Sequence, residues 1–173
     1  MAVAARWTHD VRRRLTGRPA KAVLVALTVL AVAVTTAFGL GLHRQREAER
    51  QRQDILAAAR QSALNFTTLD YRHYERDSGN VLDGATGDFK KQFAAQTGQL
   101  TKLVAENKSV SKGQILDAGL VRSAADSARV LVVADSEVTN KSVPKGQART
   151  YRLQLDLVRR DGRWLTSDVE FVG

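Results

Sequence analysis

The stretch Leu153–Val172, LQLDLVRRDGRWLTSDVEFV, determines the fold class that we predict for this chain of 173 residues. Its first three leucines stand at every second position, which is typical of a strand with one buried face. The Asp161-Gly162 pair follows and predicts a type I′ hairpin turn, because both central residues of that turn need a positive φ. A last strand is expected over Trp164–Val172. We place three of its residues on the same face: Leu165, Val169 and Phe171.

Two further strands are predicted upstream of this hairpin, over Gln114–Arg122 and Ala128–Thr139, where apolar residues again alternate with polar ones. Before Gly113 the apolar period is 3.6 and predicts helices. The sequence therefore consists of a helix-rich half followed by a strand-rich half.

One helix is expected from His43 to about Thr68 and another from about residue 88 to residue 107. Between them, we expect the short segment from Tyr74 to Leu82 to be interrupted by Ser-Gly-Asn at 78–80. The first helix carries an apolar stripe that marks the start of the core: Ile55, Ala59, Ala63, Phe66 and Leu69.

The predicted fold class is α+β, with about three helices packed on a curved antiparallel sheet of about four strands in meander order. A strongly bent sheet that closes on a long helix makes a cone. The open end of such a cone is able to hold an apolar ligand.

A separate segment, Ala22–Leu42, contains 21 residues without a charge and predicts one transmembrane helix. Six basic residues lie before it, so we expect the N-terminus in the cytoplasm and the C-terminal part outside the plasma membrane. The alternative is a cleavable signal peptide with a small-residue site at Ala31-Val32-Ala33. We favour the uncleaved anchor, because the apolar run is longer than a signal-peptide core.

The domain organisation expected from these segments has four parts. Residues 1–21 form a cytoplasmic basic arm and residues 22–42 the transmembrane helix. Residues 43–53 form a polar helical stalk, and residues 54–173 form the exported α+β domain.

The charge and composition exclude several function classes. Lys and Arg number 27 against 18 Asp and Glu, and residues 1–21 hold six basic side chains against one acidic one. The remaining charges are mixed and form no basic face, so we expect no nucleic-acid partner. The chain has no Cys, and its three His lie far apart in the sequence, so we expect no metal and no cofactor. Neither a phosphate-binding glycine loop nor a serine nucleophile elbow is present, and we predict that the protein is not an enzyme.

The candidate residues for a cavity or a partner surface lie in LDYRHYERD at 69–77 and at Trp164. An Asp near a His is a possible acid/base pair, whereas the tyrosines also fit core aromatics at a helix end. Trp164 fits a packing residue or a partner hot spot. The candidates in the first stretch are Asp70, Tyr71, His73 and Tyr74.

Residues 22–173 resemble the Mce-associated membrane proteins of actinobacteria. The resemblance depends on the basic arm, the span, the stalk and four ordered stretches: LDYRHYERD at 69–77, LDGATGDFKKQFA at 82–94, ARVLVVADSEVTN at 128–140 and LQLDLVRRDGRWLTSDVEFV at 153–172.

This resemblance implies a nuclear-transport-factor-2-like fold and a non-enzymatic accessory role in mammalian cell entry (Mce) lipid import. The implied partners are Mce proteins, their permease and ATPase, and membrane lipid. The architecture is also similar to the inner-membrane assembly subunit of type IV secretion machines. A lipid- or sterol-binding cone domain is a further alternative, as are soluble enzymes of the same fold.

Overall fold

The computed structural model describes the backbone of residues 18–172, with side chains described throughout except at 18–22, 33–34, 37–42 and 44. Over these residues the chain forms three helices and five strands. They are α1 (Arg18–Thr67), β1 (Leu69–Asp70), α2 (Tyr74–Asp83), α3 (Gly87–Asn107), β2 (Val110–Ser123), β3 (Ser127–Thr139), β4 (Gln147–Arg160) and β5 (Arg163–Phe171).

The chain divides into two compact units, Met1–Ala48 and Glu49–Gly173. In the first unit, residues 18–48 belong to α1. Thr28, Thr35 and Thr36 donate their hydroxyls to carbonyls one turn earlier, so these polar groups are satisfied within the helix. Of the predicted basic arm at 1–21, residues 1–17 lie outside the described residues.

Among the residues that the structure describes, no helix has an apolar run of the length that a membrane crossing requires. Within the predicted span Ala22–Leu42, the side chains at 22, 33–34 and 37–42 are outside the part that the structure describes. The anchor and the orientation derived from it therefore stay predictions.

In the Glu49–Gly173 unit, the sheet is antiparallel throughout and has the order β1-β2-β3-β4-β5. The predicted meander of four long strands is confirmed. The two-residue strand β1 is an addition to the prediction, because Leu69 and Asp70 pair with the start of β2. Leu69, predicted on the helix stripe, thus belongs to the sheet, since α1 ends at Thr67.

One face of the sheet holds the core and is covered by α1. The stripe residues Ile55, Ala59 and Ala63 are fully buried, as predicted. They pack on β3 and β4 in a single hydrophobic cluster. The fully buried strand residues of that cluster include Val130, Leu153 and Leu155.

The hairpin between β4 and β5 is confirmed, with positive φ at Asp161 (50°) and Gly162 (78°). The predicted faces of β5 are wrong over its first half. A bulge at Ser167 shifts the register, so Thr166 pairs with Leu157 and is buried, while Leu165 pairs with Val158 on the opposite face.

The predicted interruption at 78–80 is also wrong, because α2 runs through it. Ser78 is buried and donates its hydroxyl to the carbonyl of Glu75. Tyr74 and Val81 are buried on the same helix, and this burial outweighs the cost of about 1 kcal/mol for a glycine inside a helix.

Candidate functional site

The segment 69–77 forms a tight corner between the sheet and α2. The Tyr71 amide donates to the Ser109 carbonyl at 3.0 Å, and the His73 amide donates to the Asp70 carbonyl at 2.9 Å. The Asp70 amide donates to Asp77 Oδ2 at 2.9 Å. The polar groups of this corner therefore form hydrogen bonds mainly with the backbone of the corner itself.

The side chains of Asp70 and His73 are not hydrogen-bonded to each other in the structure. His73 Nδ1 lies 3.9 Å from Asp70 Oδ2, beyond hydrogen-bond distance. Arg72 instead donates to both Asp70 carboxylate oxygens, with Nε at 2.9 and 3.1 Å. This guanidinium holds the pKa of the Asp70 carboxyl well below its usual range, so the carboxylate stays ionised.

Replacing Arg72 with Ala is expected to raise the pKa of Asp70 towards the ordinary value of about 3.9. The reason is the loss of the charge-assisted hydrogen bonds that stabilise the ionised carboxylate. A carbon-13 NMR titration of the carboxyl measures the change. Arg76→Ala is the control, because Arg76 bonds to Asp77 instead. Equal pKa values of Asp70 in Arg72→Ala and wild type would contradict the assignment.

The other predicted site residues lie apart. Tyr71 is half-buried, with the Arg72 guanidinium 5.9 Å from its ring centroid. Trp164 is half-buried on β5 and packs against the core cluster, which agrees with the packing role. Tyr74 is buried, and desolvation raises the pKa of its phenol. Tyr74 also lines a cavity.

This cavity has a volume of about 200 Å³ and lies between the end of α1, β1, α2 and α3. Its wall is mostly apolar, and Tyr74 and Asp77 are its titratable residues. We call it the apolar compartment. Its apolar aliphatic and phenyl residues are Phe66, Leu69, Val81, Phe93, Leu100 and Val104.

A second cavity of about 290 Å³ adjoins the first; most of its lining residues are polar by type, but most of the surface that they present to the cavity is carbon. We call it the polar compartment. It shares Asn65, Thr68 and Asp77 with the apolar compartment. Asn80 and Lys112 complete the polar part of its wall.

Sequence reasoning did not identify the shared residues. Asn65 and Thr68 flank the end of α1, where their types are ordinary for a helix terminus. The one available signal is Asp77 in LDYRHYERD, which is not among the candidates that we named from that stretch. In the structure Asp77 accepts hydrogen bonds from Asp70 and Arg76.

The face of the sheet opposite the core is a second distinctive surface, which we call the outer face. Leu131 lies on it with 42% of its surface exposed. Two bulges in β2 add the exposed residues Leu116 and Val121 to this face, opposite Val133 and Arg129. No helix among the described residues packs on the outer face, so its apolar side chains are exposed to solvent.

An ion pair lies in the middle of the outer face. Arg129 Nε and Nη2 donate to the two oxygens of Asp156, each at 2.6 Å. Both side chains are about 30% exposed. The hydrogen bonds from Arg129 lower the pKa of Asp156.

Asp156→Asn is expected to lower the free energy of unfolding at pH 7 by about 1 kcal/mol, the upper range for a partly exposed pair. Because the folded-state pKa of Asp156 is lowered, its stabilisation is present above the unfolded pKa of about 3.9 and is lost as the pH falls below that value. Urea unfolding at pH 7 and pH 3 should show the difference from wild type shrinking in acid. Asp83→Asn, an exposed carboxylate without an ion pair among the described residues, serves as control. A difference that persists or grows in acid would contradict the ion-pair explanation.

Among the described residues, no group of three or more His, Asp or Glu side chains is arranged to hold a metal ion.

The fold is similar to solved periplasmic domains of secretion systems. An IcmL-like type IV secretion system protein from Legionella pneumophila has a TM-score of 0.57 and 12% identity, covering 70% of this chain and 91% of that one. A periplasmic fragment of TraM gives 0.55 and 12%, covering 69% and 96%. CagV from Helicobacter pylori, a VirB8 homologue, gives 0.54 and 6%, covering 69% and 97%. At these identities the likeness shows the fold alone, which is of the α+β class.

The chain belongs to the family described as "Uncharacterized protein Rv1363c/MT1408-like", whose model matches residues 18–173. A relative, the uncharacterized protein Rv1363c of Mycobacterium tuberculosis, is 34% identical over 116 residues. That match covers 67% of this chain and 44% of the relative's length.

Proposed function

We propose that the protein is a non-enzymatic accessory subunit that assembles with, or stabilises, an Mce-type lipid import transporter at the cell envelope. In this proposal Ala22–Leu42 anchors the chain in the plasma membrane. The Glu49–Gly173 unit lies on the extracytoplasmic side and binds the other subunits.

The observation that carries the proposal is the outer face. Large apolar side chains lie exposed together on this side of the sheet: Leu116, Val121 and Leu131. Their exposure does not stabilise a monomer. On the same face the side chains of Arg129 and Asp156 are paired with each other. Exposed apolar side chains beside a satisfied ion pair are typical of a protein-binding surface.

The corner at 69–77 supports a non-catalytic role. The Asp70 carboxylate is bonded to Arg72, and His73 lies beyond its reach. A general base needs hydrogen-bond access to a substrate proton, and this carboxylate is committed to a guanidinium. The transporter class is supported by the sequence resemblance of the ordered stretches over residues 22–173.

A second candidate is an assembly subunit of a type IV secretion-like machine. It is favoured by the fold shared with the IcmL-like protein and CagV. The structural match covers 91% of the first of those chains and 97% of the second. Both candidates predict a protein-binding domain and differ in the partner.

The test is purification of the full-length protein from its native membrane in mild detergent, with and without cross-linking, followed by quantitative mass spectrometry. We expect Mce proteins with their permease and ATPase in constant ratio. Leu131→Glu should reduce their recovery at least about tenfold, because a charge in an apolar interface core costs roughly 1.4 kcal/mol or more. Leu103→Glu, which changes an exposed leucine on α3, should leave recovery unchanged.

Three results would change the conclusion. Recovery of type IV secretion subunits instead would support the second candidate. Recovery of the protein alone, even after cross-linking, would overturn both. Equal recovery with Leu131→Glu and wild type would move the binding surface away from the outer face.

A further inference from the structure

The two compartments between the helices and the start of the sheet adjoin one another. Asn65, Thr68 and Asp77 line both of them, so the two cavities meet at these residues. Both walls present mainly carbon surface, and the second cavity adds the charged residue Lys112. This juxtaposition matches a ligand with one apolar end and one polar end.

The size of the apolar compartment limits the apolar end. A dry cavity of about 150 Å³ accommodates benzene, which has six carbons. By the same proportion, about 200 Å³ accommodates about eight carbons. The volume lies below the roughly 300–1,000 Å³ typical of drug-sized ligands, so it favours one aliphatic chain over a sterol ring system.

The polar compartment favours a head group that accepts hydrogen bonds. Thr68 Oγ1 already accepts from the Gly113 amide at 3.2 Å, so its hydroxyl proton is available to donate. Lys112 lines the same compartment and forms no ion pair among the described residues. Asp77, the acidic residue there, has its oxygens engaged by the Asp70 amide and by Arg76 at 2.8 Å.

We propose that these compartments form one binding site for a medium-chain fatty carboxylate. Its aliphatic chain lies against Phe66, Phe93 and Leu100, and its carboxylate lies beside Thr68 and Lys112. The site is independent of the outer face and of the subunit role proposed above.

The test uses the full chain in phosphatidylcholine nanodiscs and a ten-carbon fatty acid with a diazirine near its methyl end. Photolabelling followed by peptide mass spectrometry should place the label on α2 and α3 at residues that line the apolar compartment. Unlabelled decanoate should compete and saturate. Label confined to residues 18–48, or label that decanoate does not displace, would overturn the proposal.

Two leucines on α3 give a matched pair of variants. Leu100→Trp fills the apolar compartment and should reduce specific labelling at least tenfold. Leu103→Trp adds the same side chain at an exposed position and should leave labelling unchanged. Equal labelling of the two variants would contradict the site.

The head group is tested without altering the apolar wall, so folding of the variants is not at issue. Lys112→Gln should weaken decanoate competition about tenfold, whereas Lys102→Gln, an exposed lysine on α3, should not. Decyltrimethylammonium should fail to compete. Competition by that cation as strong as by decanoate would exclude a carboxylate site.

A phosphatidylcholine with the diazirine on its own chain should not label the cavity, and labelling by it would assign the site to membrane lipid instead.

Discussion

Leu155→Ala should lower the free energy of unfolding of the Glu49–Gly173 unit by about 3 kcal/mol. Leu155 is fully buried in the middle of β4, between Val130 on β3 and Val169 on β5. The loss combines the transfer free energy of the deleted atoms with the cost of the cavity left behind. α1 faces this region with Ala59 and Ala63, whose methyl groups are too short to fill the space.

The matched control is Leu131→Ala, which deletes the same atoms on the neighbouring strand β3 but on the outer face. Because Leu131 is 42% exposed, we expect a change within about 0.5 kcal/mol. Urea unfolding followed by far-ultraviolet circular dichroism measures both variants. Similar losses for the two leucines would mean that the outer face is covered in solution or that the core is placed wrongly.

The second large effect is expected at Gly113 in β2. A Cβ at this position would overlap the Thr67 hydroxyl and lie 2.9 Å from Thr68 Oγ1. These neighbours have little freedom to move, because Thr67 Oγ1 donates to the Ala63 carbonyl at 2.8 Å within the helix. Gly113→Ala should therefore destabilise the unit by about 1–3 kcal/mol, the usual cost of overpacking.

Gly119→Ala on the same strand provides the control, since nothing lies within 4 Å of its added Cβ. There the smaller conformational freedom of the unfolded chain should make the change neutral or stabilising by up to about 1 kcal/mol. The two variants are compared by chemical unfolding. If Gly113→Ala is as stable as Gly119→Ala, the end of α1 does not approach β2 as closely as the structure shows.

The strands and the last hairpin were predictable because their signals are local. Alternation in β3 and β4 and the Asp161-Gly162 turn each depend on a few adjacent residues. The bulges at Leu116, Val121 and Ser167 depend instead on the cross-strand partner. A bulge shifts the alternation of faces between the residues before it and those after it, which is why Leu165, before Ser167, lies on the opposite face from Val169.

Three other features could not be predicted from neighbouring residues alone: strand β1, the corner that follows it and the course of α2. β1 has two residues, too few to show a period, and its corner is held by the Ser109 carbonyl far along the chain. α2 forms through Gly79 because burial of Tyr74 and Val81 outweighs propensity.

The candidate site was predictable only in part for the same reason. Tyr74 was named from the sequence, but a cavity is a gap between side chains of distant segments. The polar compartment joins Asn65 to Lys112, and no local pattern indicates that these residues meet.

The hydroxyl contacts of α1 have a consequence for the order in which the domain is completed. Ser62 accepts a hydrogen bond from Thr166, 104 residues later, and the Thr67 carbonyl accepts one from Ser111, 44 residues later. During synthesis this helix therefore leaves the ribosome well before the strands that cover it. Contacts this distant close late in folding, so we expect the hairpins to form first and the helix to dock last. Until it docks, the helix exposes its apolar stripe, and the small side chains at Ala59 and Ala63 limit the apolar area available for aggregation.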